Sequence, residues 1–154
     1  MAITRVLFVC VGNACRSPMA EAFARVHGSD ILEAQSAGLA PALAVAPLTH
    51  LVMLEKDIDL GDFYPKELGR VQDSVDLIVN MSGYQLQLKN PVPVEQWNVA
   101  DPIGEAEEVF REVRDEIERR VLGLIETLRS RKAVGREAVS NAVQVDSRRR
   151  PTRQ

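Results

Sequence analysis

The chain has 154 residues, 45% of them apolar, and a formal net charge of −3. That length suits one domain with a sizeable core, and no apolar run approaches the roughly 20 residues a membrane span needs. The charge is uneven, with a net +5 on residues 131–154 and −8 on the rest; an acidic body argues against general nucleic-acid binding.

The first segment, TRVLFVCV from Thr4 to Val11, is a short β-rich run suited to a strand buried on both faces. It has no small-residue cleavage site ahead of it, so it reads as a first strand and not as a leader. From Ser17 the segment SPMAEAFARVHG offers an N-cap, Pro18 at the first helical position, and apolar residues at Met19, Ala22, Phe23 and Val26. Gly28 closes that helix. ILEAQSAG predicts a second strand ending at Gly38. A Pro/Ala loop follows, then a helix from near Pro47 with Leu51, Val52, Leu54 and Ile58 inward. DFYPKEL is a connector with room for one helical turn. VDLIVNMS predicts the third strand, YQLQLKN a short helix stopped by Pro91 and Pro93, and VEQWNV the fourth strand. After ADPIG the longest helix is expected from about Glu105 to Ser130. Its apolar stripe is Phe110, Val113, Ile117, Val121, Leu124 and Leu128, and its acidic residues sit in the first turn, where the helix dipole favours them.

Strands alternating with helices predict an α/β domain over residues 1–130, with a parallel sheet covered on both faces. Residues 131–154 read as a basic, flexible C-terminal tail ending in RRRPTR. Two cysteines five positions apart make no disulfide framework, so a reducing, cytoplasmic setting is expected. His27 and His50 give no metal spacing; His27 fits a helix C-terminal cap contact. No cofactor or metal is called for.

The segment FVCVGNACRSPMAEA concentrates the chemistry. Cys10 ends the first strand, where ligands bind in open α/β sheets. Val11, Gly12, Asn13, Ala14 and Cys15 then lead to Arg16 and Ser17 at a helix start. Successive backbone N–H groups in such a turn form a concave anion site, and the helix N-terminus adds more donors. Gly12 and Asn13 are the residue types that best tolerate the positive φ of a tight turn. A thiolate at Cys10 would be stabilised there as any anion would be. The Arg16 fork could grip two oxygens of a tetrahedral oxyanion, and Ser17 could donate its hydroxyl to the sulfur. Each residue alone has a plainer reading as core cysteine, turn or solvated arginine; the pattern in its strand-to-helix context points to a covalent thiol intermediate.

CVGNACRSPMAEA resembles the signature of the low-molecular-weight protein tyrosine phosphatases and of the arsenate reductases that share their fold. QSAGL at 35–39 and WNVADP at 97–102 resemble the family's second strand end and general-acid loop. The resemblance implies a four-stranded parallel sheet of order 2-1-3-4. It implies Cys10 as nucleophile, Arg16 as phosphate clamp, Ser17 as thiolate support, Asn13 as loop brace and Asp101 as the acid that protonates the leaving oxygen. Residues 11–17 would bind the phosphate. Without the resemblance, Asp101-Pro102 reads as a turn or a helix cap.

Two enzymatic readings share this loop. Phosphate-monoester hydrolysis needs Cys10, Arg16, Asp101 and water, and is the first choice. The thioredoxin-coupled reductases carry a further cysteine pair after the third strand; Ser82 stands near the first of these positions and no cysteine follows. Reduction of arsenate here would therefore use an external thiol. Cys15 is a redox candidate, able to pair with Cys10, or a small residue packed under the loop. The tyrosines that flank an aromatic substrate in the phosphatases are replaced after Asp101-Pro102 by Ile103 and Gly104. Phe63 and Tyr64 read first as connector packing and second as substrate contacts. A non-catalytic oxyanion-binding module is the third reading. The expected partners are a phosphorylated protein or small oxyanion and, for the reductase, a thiol; no nucleic acid or membrane is implied.

Overall fold

A computed structural model describes residues 3–71 and 74–149, with side-chain surroundings through residue 135. The element order is β1 (Thr4–Cys10), α1 (Arg16–Gly28), β2 (Leu32–Gly38), α2 (Pro47–Leu54), α3 (Leu68–Val71), β3 (Leu77–Asn80), β4 (Val94–Gln96) and α4 (Glu107–Arg149). All strand pairs are parallel and the sheet order is β2-β1-β3-β4, the expected topology. β1 is central, with Cys10 beside Gly38 of β2 and Val9 beside Asn80 of β3. The chain reverses its winding direction between β1 and β3, so a crevice opens at the carboxyl end of β1.

Strand periodicity divides the core in two. Val6, Phe8 and Cys10 face one side, where α1, α2 and α4 supply Met19, Phe23, Val52, Met53, Phe110, Ile117 and Val121. Leu7 and Val9 face the other, against Ile78, Ala37, Leu68 of α3 and the irregular segment bearing Leu86, Leu88 and Val92. The α4 stripe predicted from sequence is buried at all six positions. Gly28 lets α1 approach α4, because a Cβ there would lie 2.7 Å from Ile125 Cδ1.

Several local expectations are corrected. No helix forms over YQLQLKN; Leu86 and Leu88 instead lie in extended chain whose alternate residues cover the second sheet face. The inward face of α2 is Thr49, Val52 and Met53, while Leu51 and Leu54 are exposed; the helix ends at Leu54, before Ile58. Val26 on α1 is exposed and Ala20 and Ala24 are buried instead, because small residues let α1 lie close to its neighbours. α4 begins two residues late and passes Ser130 without interruption to Arg149; residues 150–154, the end of RRRPTR, lie outside the described residues. His27 makes a side-chain contact, its Nε2 2.9 Å from Glu118 Oε2, and stacks on Phe23. No helix among the described residues is long and apolar enough to cross a membrane.

Beyond the core, Glu55 staples α2 to α4. Its carboxylate accepts hydrogen bonds of 2.8 Å from Arg111 Nη2 and 2.7 Å from Arg114 Nη1, and Arg114 also donates to the Val52 carbonyl. Hydrogen bonding from Arg111, then from Arg114, holds the Glu55 carboxyl down at about 2, against the burial that opposes it. A carboxyl lowered on folding stabilises the fold above its unfolded value near ~4.3 and ceases to as pH falls through the folded one. Glu55→Gln is therefore expected to melt below wild type at neutral pH. The gap between the two melting temperatures should close as pH is lowered from above 4 towards about 2; a gap independent of pH would remove the ion pair from the account.

Candidate active site

The site is built on the loop between β1 and α1. The carbonyls of Cys10, Val11, Gly12 and Ala14 accept backbone hydrogen bonds from Leu39, Ala40, Ala42 and Ala46. Those carbonyls are thereby turned outward, against the segment after β2. In a trans peptide the N–H of the next residue points opposite to the carbonyl, so the amides of Val11, Gly12, Asn13 and Cys15 face the concave side. The N-terminus of α1 closes the arc, and its cap, Cys15, makes no side-chain cap bond. The first amides of the helix keep their donors for the crevice.

Asn13 takes the left-handed conformation, with φ 51°. Gly12, the other residue type suited to it, does not share it. An added Cβ at Gly12 would meet the Cβ atoms of Ala14 and Ala42 at 3.8 Å, an ordinary contact. The glycine that the loop requires is Gly38. A Cβ there would stand 2.7 Å from the Val11 carbonyl oxygen and 2.9 Å from the Asn13 nitrogen.

Asn13 is fully buried and braces the loop. Its Oδ1 accepts the Lys66 N–H at 2.9 Å; its Nδ2 donates to Ser17 Oγ at 2.7 Å and Ser36 Oγ at 3.0 Å. Ser17 Oγ lies 2.9 Å from Cys10 Sγ. The helix begins at Arg16, one residue before the expected cap, because the Ser17 hydroxyl is directed to the sulfur and not to the helix amides.

Arg16 is buried, and its guanidinium joins three strand ends. Nη1 donates to the carbonyls of Met81, after β3, and Val99, after β4. Nη2 lies 3.5 Å from Asp101 Oδ2. Nε is buried and has no hydrogen-bond partner among the described residues. Nε and Nη2 form one edge of the guanidinium fork, the edge that accepts two oxygens of an oxyanion. Asp101 is half-exposed, and its Oδ1 accepts the Ile103 N–H at 3.1 Å, an Asx turn that aims the carboxylate back over the loop. Asp101, far along the chain, is thus brought to the same crevice as Cys10, Asn13, Arg16 and Ser17.

Cys15 faces away from this chemistry. Burial pushes its thiol up to about 11, only partly offset by the hydrogen bond it shares with Thr49. Phe63 and Tyr64 flank Lys66 Nζ at 4.1 and 4.8 Å. With Glu21 and Arg25 they line an open cleft of about 480 Å³ beside α1, to which no residue of the Cys10 loop contributes. The apolar side chains near the loop are Leu43 and Ile103, both exposed. Ser82, in a turn after β3, spends its hydroxyl on Asn80 Oδ1 at 2.7 Å.

Sequence reasoning passed over Ser36, Glu21 and Thr49, all polar and buried. Their signal was weak but present: Glu21 follows Ser17 by one helical turn, and Ser36 precedes Gly38 on the same strand face.

The sheet order and the Cys-x5-Arg-Ser loop at its switch point define the class, a doubly wound α/β enzyme. The chain belongs to the low molecular weight phosphotyrosine protein phosphatase family, whose profile matches residues 5–134. It is 35% identical over 127 residues to arsenate reductase 1 of Bacillus cereus (strain ATCC 10987 / NRS 248), covering 79% of this chain and 94% of the relative. It is 32% identical over 143 residues to a protein-arginine-phosphatase of Geobacillus stearothermophilus, covering 82% and 97%. The solved structure of an arsenate reductase in the phosphate binding state superposes with a TM-score of 0.74 at 32% identity, covering 82% of this chain and 99% of that one.

Two measurements check the geometry. Gly38→Ala should cost about 1–3 kcal/mol in urea unfolding, as overpacking against backbone does; an unchanged midpoint would show that the loop can yield. Iodoacetamide near neutral pH should modify Cys10 and spare Cys15, which becomes reactive only as pH approaches about 11. Peptide mass mapping distinguishes the two sites.

Proposed function

We propose that this chain hydrolyses phosphate monoesters through a cysteinyl-phosphate intermediate. The observation that carries this reading is the buried Arg16 Nε, which has no hydrogen-bond partner among the described residues. A buried cationic donor left unpaired is costly, and a bound oxyanion relieves that cost while holding its central atom over Cys10. The Cys10 thiolate attacks phosphorus as the bond to the leaving oxygen breaks, and Asp101 delivers its proton to that oxygen. Water then attacks the cysteinyl-phosphate, Asp101 takes a proton from it, the S–P bond breaks, and thiolate and inorganic phosphate are released. Ser17 donates to the sulfur in both halves. Ile103 and Gly104 follow Asp101-Pro102, where the resemblance would place aromatic substrate contacts, which favours phosphorylated side chains other than phosphotyrosine. The relative named as a protein-arginine-phosphatase adds phosphoarginine, a phosphoramidate, to the substrates to try beside the esters; there the P–N bond would break and Asp101 would deliver its proton to the leaving nitrogen.

The relatives named as arsenate reductases favour a second reading on the same loop. Cys10 would displace hydroxide from arsenate, and an external thiol would then attack the Cys10 sulfur, so that the S–As bond pair passes to arsenic, arsenite leaves and the two sulfurs, oxidised by two electrons, end as a mixed disulfide. The chain has two cysteines, and with Cys15 buried and protonated no internal shuttle is at hand.

Wild type, Cys10→Ser and Asp101→Ala are to be assayed side by side on p-nitrophenyl phosphate, phosphoarginine and arsenate plus glutathione. Hydrolysis by wild type, its loss by at least about 10³-fold in Cys10→Ser, and a fall of about 10²-fold in Asp101→Ala are expected. Arsenate reduction without phosphate-ester hydrolysis would replace the first reading with the second.

A further inference from the structure

Glu21 is a buried carboxylate that the proposed reaction does not use. It lies on α1 one turn beyond Ser17, and only 4% of it is exposed. Its Oε1 accepts the Ser36 hydroxyl at 3.0 Å, and Oε2 lies 3.3 Å from Arg25 Nη1. Arg25 is mostly exposed, so the strongest fixed acceptor in this part of the interior is Glu21 itself. Lys66, from the connector after α2, is the other cation near it, and Asp59 and Asp62 line the same cleft. Burial pushes the Glu21 carboxyl up, with Arg25 and the Ser36 hydroxyl opposing.

The hydrogen bonds running from Glu21 to Cys10 have one self-consistent direction. A carboxylate only accepts, so Ser36 must spend its hydrogen on Glu21 and offer a lone pair inward. That lone pair meets Asn13 Nδ2, which only donates. The other end of the same amide, Oδ1, meets the Lys66 backbone N–H, which also only donates. The amide is therefore locked from both sides. Its second Nδ2 hydrogen goes to Ser17 Oγ, which leaves the Ser17 hydrogen for the sulfur 2.9 Å away. The alternative acceptor for that hydrogen is the Ala37 carbonyl, at 3.5 Å.

We propose that Glu21 is a positioning residue whose carboxylate, acting through Ser36 and Asn13, fixes the Ser17 hydroxyl as a donor to Cys10. This rests on Cys10 being the nucleophile but not on which oxyanion it attacks. A glutamine at position 21 keeps the shape but brings an amide N–H. With its oxygen turned to Arg25, the new N–H faces Ser36, and two donors then meet on Ser36 Oγ. That oxygen has lone pairs for both, but its own hydrogen loses its acceptor; an Asn13 flip to receive it would set Nδ2 against the Lys66 N–H, so the strain instead loosens the Ser36–Asn13 bond and the Ser17 hydroxyl it directs.

The test is the iodoacetamide alkylation rate of Cys10, mapped by mass, as a function of pH. Glu21→Gln is expected to slow alkylation about tenfold near neutrality, the scale of one hydrogen bond to a charged group. Its rate should converge with wild type at high pH. In a Ser36→Ala background, Glu21→Gln should have no further effect, since the connection is already cut. A wild-type pH profile in Glu21→Gln, or an equal loss with and without Ser36, would overturn the proposal. If Glu21→Gln does not fold, Ser36→Ala carries the test: slowed alkylation near neutrality with an unchanged high-pH rate supports the chain, and an unchanged profile overturns it. The readout does not depend on turnover. Full activity of Cys10→Ser would sink the underlying reading separately.

Discussion

One buried guanidinium holds the crevice together. Arg16 reaches from the first turn of α1 to carbonyls at the ends of two other strands, Met81 after β3 and Val99 after β4. β4 is three residues long and exposed, too short to aim anything beyond it. The carboxylate of Asp101 owes its place to Arg16 and to its own turn with Ile103 as much as to the sheet. A charge this deep is costly unless its hydrogens are satisfied. Two carbonyls satisfy one corner of the fork, a distant carboxylate partly satisfies another, and Nε is left for an incoming anion. In the proposed reaction, the interaction that assembles the crevice and the one that grips the substrate belong to the same side chain.

The loop around Cys10 obeys a complementary rule. Its carbonyls are tied outward by four backbone bonds from residues 39–46, and peptide planarity turns its amides inward. No side chain is needed to make the surface donor-rich. Side chains enter to stop the loop from relaxing: Asn13 from beneath, Thr49 through its bond to the Ala14 carbonyl, and Arg16 across the top. Donors placed before the charge arrives need not reorganise when it does.

Much of this was legible in the chain, for physical reasons that can be named. β1, β2 and the α4 stripe followed from periodicity, because long apolar patterns bury the same way in nearly any context. Cys10 and Arg16 stood out because their residue types sit between a strand end and a helix start; Asp101 stood out through the resemblance, since an Asp-Pro alone reads as a turn or a cap. Ser36 and Glu21 did not, since a lone polar residue in a strand or helix looks solvated until packing shows what covers it. The split between Gly12 and Asn13 was equally hidden: both tolerate positive φ, and the surrounding hydrogen bonds decided which would adopt it. YQLQLKN failed as a helix because its alternating leucines found a sheet face to cover, a tertiary choice that overrides local propensity.

Gly38 carries an implication for transplanting this chemistry. The segment from Cys10 to Ser17 looks portable, eight residues that carry the thiol and the guanidinium together. Yet its underside rests on a strand end stripped to the backbone, and the first methyl group there would collide with it. A host sheet receiving the loop without a bare neighbour at that register would hold the peptide at the wrong height. The transferable unit is thus two segments from different parts of the chain, the eight residues of the loop and the bare strand end at position 38 on which they rest.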